Sequence, residues 1–164
     1  MMKKLGILIV LIAVVVGLLR FIILPKFGTN FAAILPAVVA ALTNDARAAN
    51  NVAGLKDNIL LDHAAQAKAN DMAAKGYFAH VSPDGTLPWD WISRAGYRYV
   101  YAGENLAVNF NDSDKVVNAW LASPTHRFNI LRPQYTEIGV GTASGMYNGQ
   151  PATFVVQMFA SPAK

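Results

Sequence analysis

Two segments near the C-terminus constrain the fold more than any other feature. EIGVGTA at residues 137–143 and ATFVVQMFA at residues 152–160 have strand-like compositions, and an Asn-Gly pair lies between them, which predicts a β-hairpin. Gly139 and Gly141 alternate in the first strand, so one face of the hairpin is nearly bare of side chains. We therefore expect either a helix packed closely on this face or a cavity lined by backbone.

Helical patterns precede the hairpin. Val38, Leu42 and Ala46 fall on one face of the first predicted helix. The predicted helices cover residues 36–50, 58–75, 88–95, 113–122 and the stretch SPTHRFNIL at 123–131, with an extended segment at 97–108. Because helices come first and the hairpin comes last, the order predicts an α+β fold rather than a parallel βαβ sheet.

An apolar segment occupies the N-terminal part of the chain. Residues 5–24 carry one charge, Arg20, and as a helix they would span about 30 Å, the thickness of a bilayer core. We expect residues 1–26 to be an uncleaved membrane anchor, with a cleaved signal peptide as the alternative. The short basic tail before the segment favours a domain on the extracytoplasmic side.

The rest of the chain then divides into two parts. We expect residues 27–40 to be a linker and the start of the first domain helix, and residues 41–162 to be the folded domain.

Charge and cysteine content exclude several classes of protein. The net charge is +4, but residues 1–26 carry four Lys/Arg, and the remaining residues have ten basic and ten acidic side chains. The basic excess therefore belongs to the N-terminal segment, and a nucleic-acid-binding surface is not expected. Since the chain has no cysteine, it has neither disulfides nor thiolate metal ligands.

His126 is a candidate functional residue with a defined local setting. Ser123 is a favourable N-cap and Pro124 a favourable first helical residue, which places His126 at the third helical position. The positive end of the helix dipole disfavours imidazolium there, and a neutral imidazole suits a metal ligand or a general base. Simple packing in the first turn explains the pattern equally well.

Few other residues could carry chemistry. His80 lies in a loop before a Ser-Pro-Asp-Gly turn, and Glu104 is an acid within an apolar stretch, where it must be paired or functional. Glu137 opens an apolar strand, where a strand-edge charge near Arg132 is the simpler interpretation. We expect His63 to face solvent, opposite the apolar stripe of its helix. No metalloprotease, phosphate-loop, serine-hydrolase or EF-hand motif is present.

Five ordered motifs together resemble one family. The chain is similar to the CAP superfamily (the SCP domain of cysteine-rich secretory, antigen 5 and pathogenesis-related proteins), and most similar to its cysteine-free bacterial branch. The motifs are GYFAHVSPDG (76–85), AGENLA (102–107), WLASPTHRFNIL (120–131), YTEIGVG (135–141) and FVVQMFA (154–160).

The resemblance implies an architecture and a site. It implies an α-β-α sandwich with a small antiparallel sheet between helical layers, and a cleft that in some members binds zinc or another divalent ion. His80 and His126 match the two cleft histidines, and Glu104 matches the acid of the GEN motif. The usual second glutamate after the tryptophan is missing here, and Glu137 is the candidate for its position.

Three functions remain open at this point. The first is a membrane-anchored extracytoplasmic binding domain whose ligand is a lipid, a cell-wall component or a protein. The second is a metal-assisted hydrolase that uses the same cleft, because two imidazoles and a carboxylate suit zinc and leave an open position. The third is a structural interaction domain whose His/Glu cluster is a hydrogen-bonded core network.

Overall fold

The protein is described by a computed structural model that covers residues 34–163. The predicted anchor (1–26) and residues 27–33 of the next predicted segment lie outside the described residues. Between residues 34 and 163, no helix is both long enough and apolar enough to cross a membrane.

The domain contains five helices and four strands within the described residues. The helices are α1 (Pro36–Ala49), α2 (Ile59–Lys75), α3 (Pro88–Arg94), α4 (Ser113–Ala122) and α5 (Pro124–Leu131). The strands are β1 (Lys56–Asp57), β2 (Tyr99–Val108), β3 (Glu137–Tyr147) and β4 (Gln150–Pro162). The order of helices before a terminal hairpin confirms the predicted α+β class.

The strands form one sheet in the order β1-β3-β4-β2, with helices on both faces. Helices α2 and α3 contribute to one apolar core, and α1, α4 and α5 contribute to the other. The expected antiparallel pairing holds for β2, β3 and β4, but the sheet is mixed because β1 pairs with β3 in parallel. This strand has two exposed residues and no alternating pattern, so the sequence carried no signal for it.

The hairpin forms as predicted, with longer strands. Asn148 and Gly149 connect β3 to β4 and have φ values of 51° and 75°. A two-residue turn of this kind requires positive φ at both positions, which asparagine and glycine tolerate best. The turn thereby sets the register that pairs Gly139 with Met158 and Gly141 with Val156.

Helix α2 packs directly on the bare face of β3. A Cβ atom added to Gly139 would lie 2.2 Å from the backbone carbon of Leu61, and one added to Gly141 would lie 2.3 Å from the backbone nitrogen of Gln66. A third glycine, Gly145, meets the helix in the same way. Of the two expectations for this face, the closely packed helix is therefore correct.

Helix α1 buries part of the predicted stripe together with two polar residues. Leu42 and Ala46 pack partly buried against the core, Val38 is exposed, and the fully buried positions include Val39, Thr43 and Arg47. Two of the buried residues, Thr43 and Arg47, are polar, and both are hydrogen-bonded. Thr43 donates to the Val39 carbonyl at 2.7 Å, and the Arg47 guanidinium binds four backbone carbonyls. Burial of Arg47 away from water lowers its pKa.

Side chains cover the free edge of β2, which is an outer strand of the sheet. Three alternate carbonyls of this strand accept side-chain hydrogen bonds. The donors are Tyr135 Oη to Ala102 (3.0 Å), Asn129 Nδ2 to Glu104 (3.0 Å) and Trp120 Nε1 to Leu106 (2.9 Å). An open edge would be a template for pairing with another chain, and these contacts close this one.

The contact between α2 and the glycines predicts a large effect of one methyl group. Gly141→Ala forces a Cβ into helix backbone that cannot rotate away, so we expect a loss of at least about 2 kcal/mol in the free energy of unfolding. Urea denaturation measures it. The matched control is Gly54→Ala, whose Cβ would meet its nearest atom at an ordinary 3.6 Å, and which we expect to change stability by less than about 0.5 kcal/mol. Equal effects of the two substitutions would contradict the close packing.

Candidate ligand-binding site around His80, Glu104 and His126

A buried carboxylate holds an exposed imidazole at the centre of the candidate site. His80 Nδ1 and Glu104 Oε1 are 2.6 Å apart, and the His80 side chain is 54% exposed whereas that of Glu104 is 1% exposed. Since an ionised carboxylate only accepts hydrogen bonds, Nδ1 carries the proton in this pair. The other ring nitrogen, Nε2, is then free to accept a proton or bind a ligand.

The two groups shift each other's protonation. The hydrogen bond to Glu104 raises the pKa of His80 above its usual value. Burial raises the pKa of the Glu104 carboxyl, and the hydrogen bond and the positive charges of His80 and Lys68 oppose that effect. Glu104 Oε2 is also buried and has no hydrogen-bond partner among the described residues. A buried orphan oxygen of this kind is an acceptor that water or a ligand normally satisfies.

Lys68 fixes the loop that carries His80. Its ammonium group is fully buried and donates to the His80 carbonyl at 2.9 Å, to Tyr77 Oη at 3.0 Å and to Ser82 Oγ at 3.3 Å. Because Lys68 belongs to helix α2, the loop is tied to the helix that packs on the glycines. Burial lowers the pKa of Lys68, and the negative charge of Glu104 is the largest of the effects that oppose this.

A second set of contacts closes the base of the same loop. Tyr77 Oη donates to Asp71 at 2.6 Å, and Lys75 lies 2.6 Å from Asp71 and 3.0 Å from Asp84. Asp84 also accepts the backbone N–H of Thr86 at 3.1 Å. The hydrogen bonds from Lys75 and Thr86 hold the pKa of Asp84 well below its usual value.

His126 lies where the sequence places it, at the third position of α5. Ser123 occupies the N-cap position, although its hydroxyl pairs with Thr125 at 3.3 Å instead of capping the backbone. The pKa of His126 is lowered, chiefly by burial and further by the charge of His80. The lowered pKa agrees with the neutral state expected for His126.

A buried hydrogen-bond chain connects His126 to the sheet. Asn105 Nδ2 donates to the His126 carbonyl at 3.3 Å and to Gln157 Oε1 at 3.0 Å, and Gln157 Nε2 donates to Thr43 at 2.8 Å. Asn129 completes the chain by donating to Asn105 Oδ1 at 2.9 Å. Asn105 follows Glu104 in sequence, so adjacent residues of β2 contact the two histidines, one through a ring and one through a backbone carbonyl.

Glu137 is placed apart from the other three predicted residues. Its Oε2 accepts hydrogen bonds from Tyr97 Oη at 2.6 Å and from Asn58 Nδ2 at 2.8 Å. Strand β4 separates it from Glu104, which amounts to about 9–10 Å across the sheet. We therefore leave Glu137 out of the site that we propose below.

The side chains present do not form a complete metal centre. Between residues 34 and 163, no group of three or more His, Asp or Glu side chains is arranged to hold a metal ion. Glu104 faces the Nδ1 of His80, which is the position of a group that orients a ligand rather than of a ligand itself. Of the four predicted residues, His80 and His126 are the two that we carry forward as candidate donors.

Several residues that build the site were missed at the level of sequence. Lys68 and Arg47 each lie on the buried face of a helix, which was the available signal, because a charged residue on an apolar face must find internal partners. Asn105, Asn129 and Gln157 are polar residues within otherwise apolar segments, which was a weaker signal. His63 is exposed on α2, as expected.

The hydrogen bond between His80 and Glu104 predicts that the two site histidines, His80 and His126, have different titration midpoints. We expect the His80 midpoint to lie above the usual value near 6.5 and that of His126 to lie below it. Glu104→Gln removes the charge that favours imidazolium and should lower the His80 midpoint. A pH titration followed by NMR of the ring signals measures both values. A His80 midpoint that is the same in both proteins would show that the pair does not form.

The sequence was compared with known families and proteins. The CAP family profile, described as the cysteine-rich secretory protein family, matches residues 40–159. The Bacillus subtilis (strain 168) protein YkwD is 42% identical over 103 residues, and the membrane protein YlbC of the same organism is 33% identical over 106 residues. These matches cover 63% and 65% of this chain but 40% and 31% of the relatives, so the chain corresponds to part of their length.

Solved structures agree with the family match. A Bacillus anthracis extracellular protein containing an SCP domain is 30% identical with a TM-score of 0.67, covering 76% of this chain and 39% of that one. An outer surface protein of Borrelia burgdorferi has the same fold, with a TM-score of 0.67 at 21% identity, covering 77% of this chain and 92% of that one. With a profile that matches most of its length, the chain belongs to the CAP family of cysteine-rich secretory proteins, in a form that contains no cysteine.

Proposed function

We propose that this protein is an extracytoplasmic binding protein whose ligand site is formed by His80, Glu104 and His126. The observation that carries the proposal is the 2.6 Å contact between the exposed His80 ring and the buried Glu104 carboxylate. Keeping a carboxylate away from water is costly, and the cost is offset here by Lys68 and His80. Such an arrangement orients one ring nitrogen toward an incoming partner.

A divalent cation is the first ligand that we propose for this site. Imidazole nitrogen suits zinc, and a carboxylate hydrogen-bonded to the far ring nitrogen strengthens an imidazole ligand. Two protein donors, His80 and His126, leave the remaining positions to water or to groups of a second molecule. The metal would then bridge the domain to a lipid, a cell-wall component or a protein.

Binding is better supported than hydrolysis. Within the described domain, no serine or threonine hydroxyl is hydrogen-bonded to the ring of His80 or His126, and no third metal ligand is in place. Hydrolysis requires a nucleophile or a firmly held metal-bound water, and the contacts of the two histidines in the described domain position neither one.

The membrane-anchored location rests on the N-terminal apolar segment and on the relatives. Residues 5–24 have the length and composition of a membrane span. One relative is named a membrane protein, and one similar structure is described as an extracellular protein. We therefore propose an anchor that holds the domain outside the cytoplasm, with a domain released by cleavage as the alternative.

Zinc titration tests the site. We expect the full chain in a non-ionic detergent to bind zinc, and His80→Ala or His126→Ala each to weaken binding by at least about tenfold, because each removes one of two donors. The matched control is His63→Ala, which removes an exposed histidine elsewhere and should leave the affinity unchanged. Isothermal calorimetry provides the affinities. If the variant that carries both His80→Ala and His126→Ala binds zinc as tightly as the wild type, the proposal of a metal site at these histidines is wrong.

Turnover would separate binding from hydrolysis. The zinc-loaded protein should not accelerate the hydrolysis of peptide, ester or glycan substrates. Zinc-dependent turnover that disappears in His80→Ala and in His126→Ala would overturn the binding function in favour of the hydrolase.

Fractionation tests the anchor. We expect the full chain to sediment with membranes and a form lacking residues 1–26 to remain in the supernatant, because the apolar segment supplies the attachment. N-terminal sequencing of the mature protein distinguishes an anchor from a signal peptide. A mature N-terminus near residue 40 would contradict the uncleaved anchor.

A further inference from the structure

Arg132 is held among three aromatic rings just after helix α5. Its guanidinium carbon lies 5.3 Å from the ring centroid of Tyr101, 5.7 Å from that of Phe128 and 5.2 Å from that of Tyr135. An arginine stacked in this way keeps its planar fork in one orientation while its N–H groups remain available for hydrogen bonds. The side chain is therefore preorganised to bind a planar anion.

Arg132 has no acidic partner within residues 34–163. Its side-chain hydrogen bonds go to Gln134 Oε1 and Tyr135 Oη, both at 3.4 Å and both neutral. The described salt bridges involve other residues. The guanidinium thus keeps most of its donor capacity for a partner.

The segments that carry Arg132 and its stacking rings have basic residues and no acidic ones. Residues 97–101 and 127–135 contain three arginines and no aspartate or glutamate. The buried guanidinium of Arg47 lies beneath and donates to the Arg132 carbonyl at 3.0 Å. Complementarity therefore calls for a partner that carries negative charge.

Two of the aromatic side chains on which Arg132 stacks are exposed. Phe128 is 62% exposed and Tyr101 is 42% exposed, and Val100, which precedes Tyr101 in β2, is 62% exposed. At the energetic centres of protein interfaces, aromatic residues and arginine are enriched, and lysine and acidic residues are depleted.

Strand addition at this edge is prevented. The carbonyls of Ala102, Glu104 and Leu106 are already occupied by side chains, and Val100 forms a bulge in the pairing of β2 with β4. A partner must therefore be recognised through side chains, chiefly the guanidinium of Arg132 and the aromatic rings around it.

We propose that the surface formed by Val100, Tyr101, Phe128 and Arg132, here called the arginine–aromatic patch, binds an acidic peptide segment of a partner protein. A carboxylate of the peptide pairs with the Arg132 fork in a bidentate manner, and a neighbouring apolar side chain packs on Phe128 and Val100. This function is separate from the one proposed for His80 and His126 and does not depend on it.

A labelled peptide tests the patch in the full chain, purified in a non-ionic detergent. The probe is a fluorescein-labelled hexapeptide of alternating glutamate and phenylalanine, and its counterpart carries glutamine in place of glutamate. We expect fluorescence anisotropy to show saturable binding of the acidic peptide, above the signal from protein-free micelles, and binding of the neutral peptide at least about tenfold weaker. Arg132→Gln and Phe128→Ser should each weaken the acidic peptide by about tenfold.

A matched variant separates this arginine from arginines in general. Arg94→Gln removes an exposed arginine that stacks on a single ring, with its guanidinium carbon 5.3 Å from the ring centroid of Trp91, and it makes the same charge change. We expect it to alter the affinity by less than about twofold. Thermal melts identify any variant that is unfolded. Arg132→Lys keeps the charge but loses the planar fork, and it should still bind the acidic peptide clearly more weakly than the wild type does.

Three results would overturn the proposal. One is equal binding of the acidic and neutral peptides, and another is an equal loss in Arg94→Gln and Arg132→Gln. The third is absence of peptide binding together with Arg132-dependent binding of phosphatidylglycerol vesicles, which would make a membrane the partner. Retained peptide binding in His80→Ala would confirm that the patch works without the histidine site.

Discussion

The close approach of helix α2 to strand β3 determines the geometry of the domain. Gly139 and Gly141 remove the side chains that would otherwise keep helix α2 farther from the sheet. Helix α2 carries Lys68, which donates to the His80 carbonyl, and the sheet carries Glu104, which binds the His80 ring. In this way a feature of strand β3 controls a histidine that lies some sixty residues earlier in the chain.

Two buried cations hold the two sides of the candidate site. Lys68 binds the His80 carbonyl, and Arg47 binds the carbonyls of Ile130 and Arg132 at the end of the helix that begins near His126. A buried cation costs free energy unless several acceptors replace its water, and each of these has at least three. Lys68 therefore stabilises the loop of His80, and Arg47 stabilises the end of α5.

Local turn and cap chemistry accounts for what the sequence predicted well. The Asn148-Gly149 turn and the position of His126 both follow from the few backbone conformations that the residues at these turns and helix starts favour. His80 and Glu104 could be joined to His126 only through the family resemblance, since spacing does not reveal contacts between distant segments.

The errors have a common physical origin. The short parallel strand β1 is defined by pairing with β3 and has no pattern of its own. The buried face of α1 was predicted from apolar residues alone, whereas tertiary hydrogen bonds also bury Arg47 and Thr43. The assignment of Glu137 to the cleft stays a prediction, and its side chain is hydrogen-bonded to Tyr97 and Asn58. Each miss involves a polar group whose partner is far away in the sequence.

The central claim is that Lys68 on the glycine-packed helix positions His80 for Glu104. The most direct measurement is the His80 titration midpoint, followed by NMR, in Lys68→Met. The charge of Lys68 by itself lowers the pKa of His80, so a purely electrostatic role predicts a higher midpoint in the variant. Loss of positioning separates His80 from the carboxylate and predicts a lower midpoint. A lower midpoint in a folded protein is the result that we expect, and an unchanged or higher one would contradict the account.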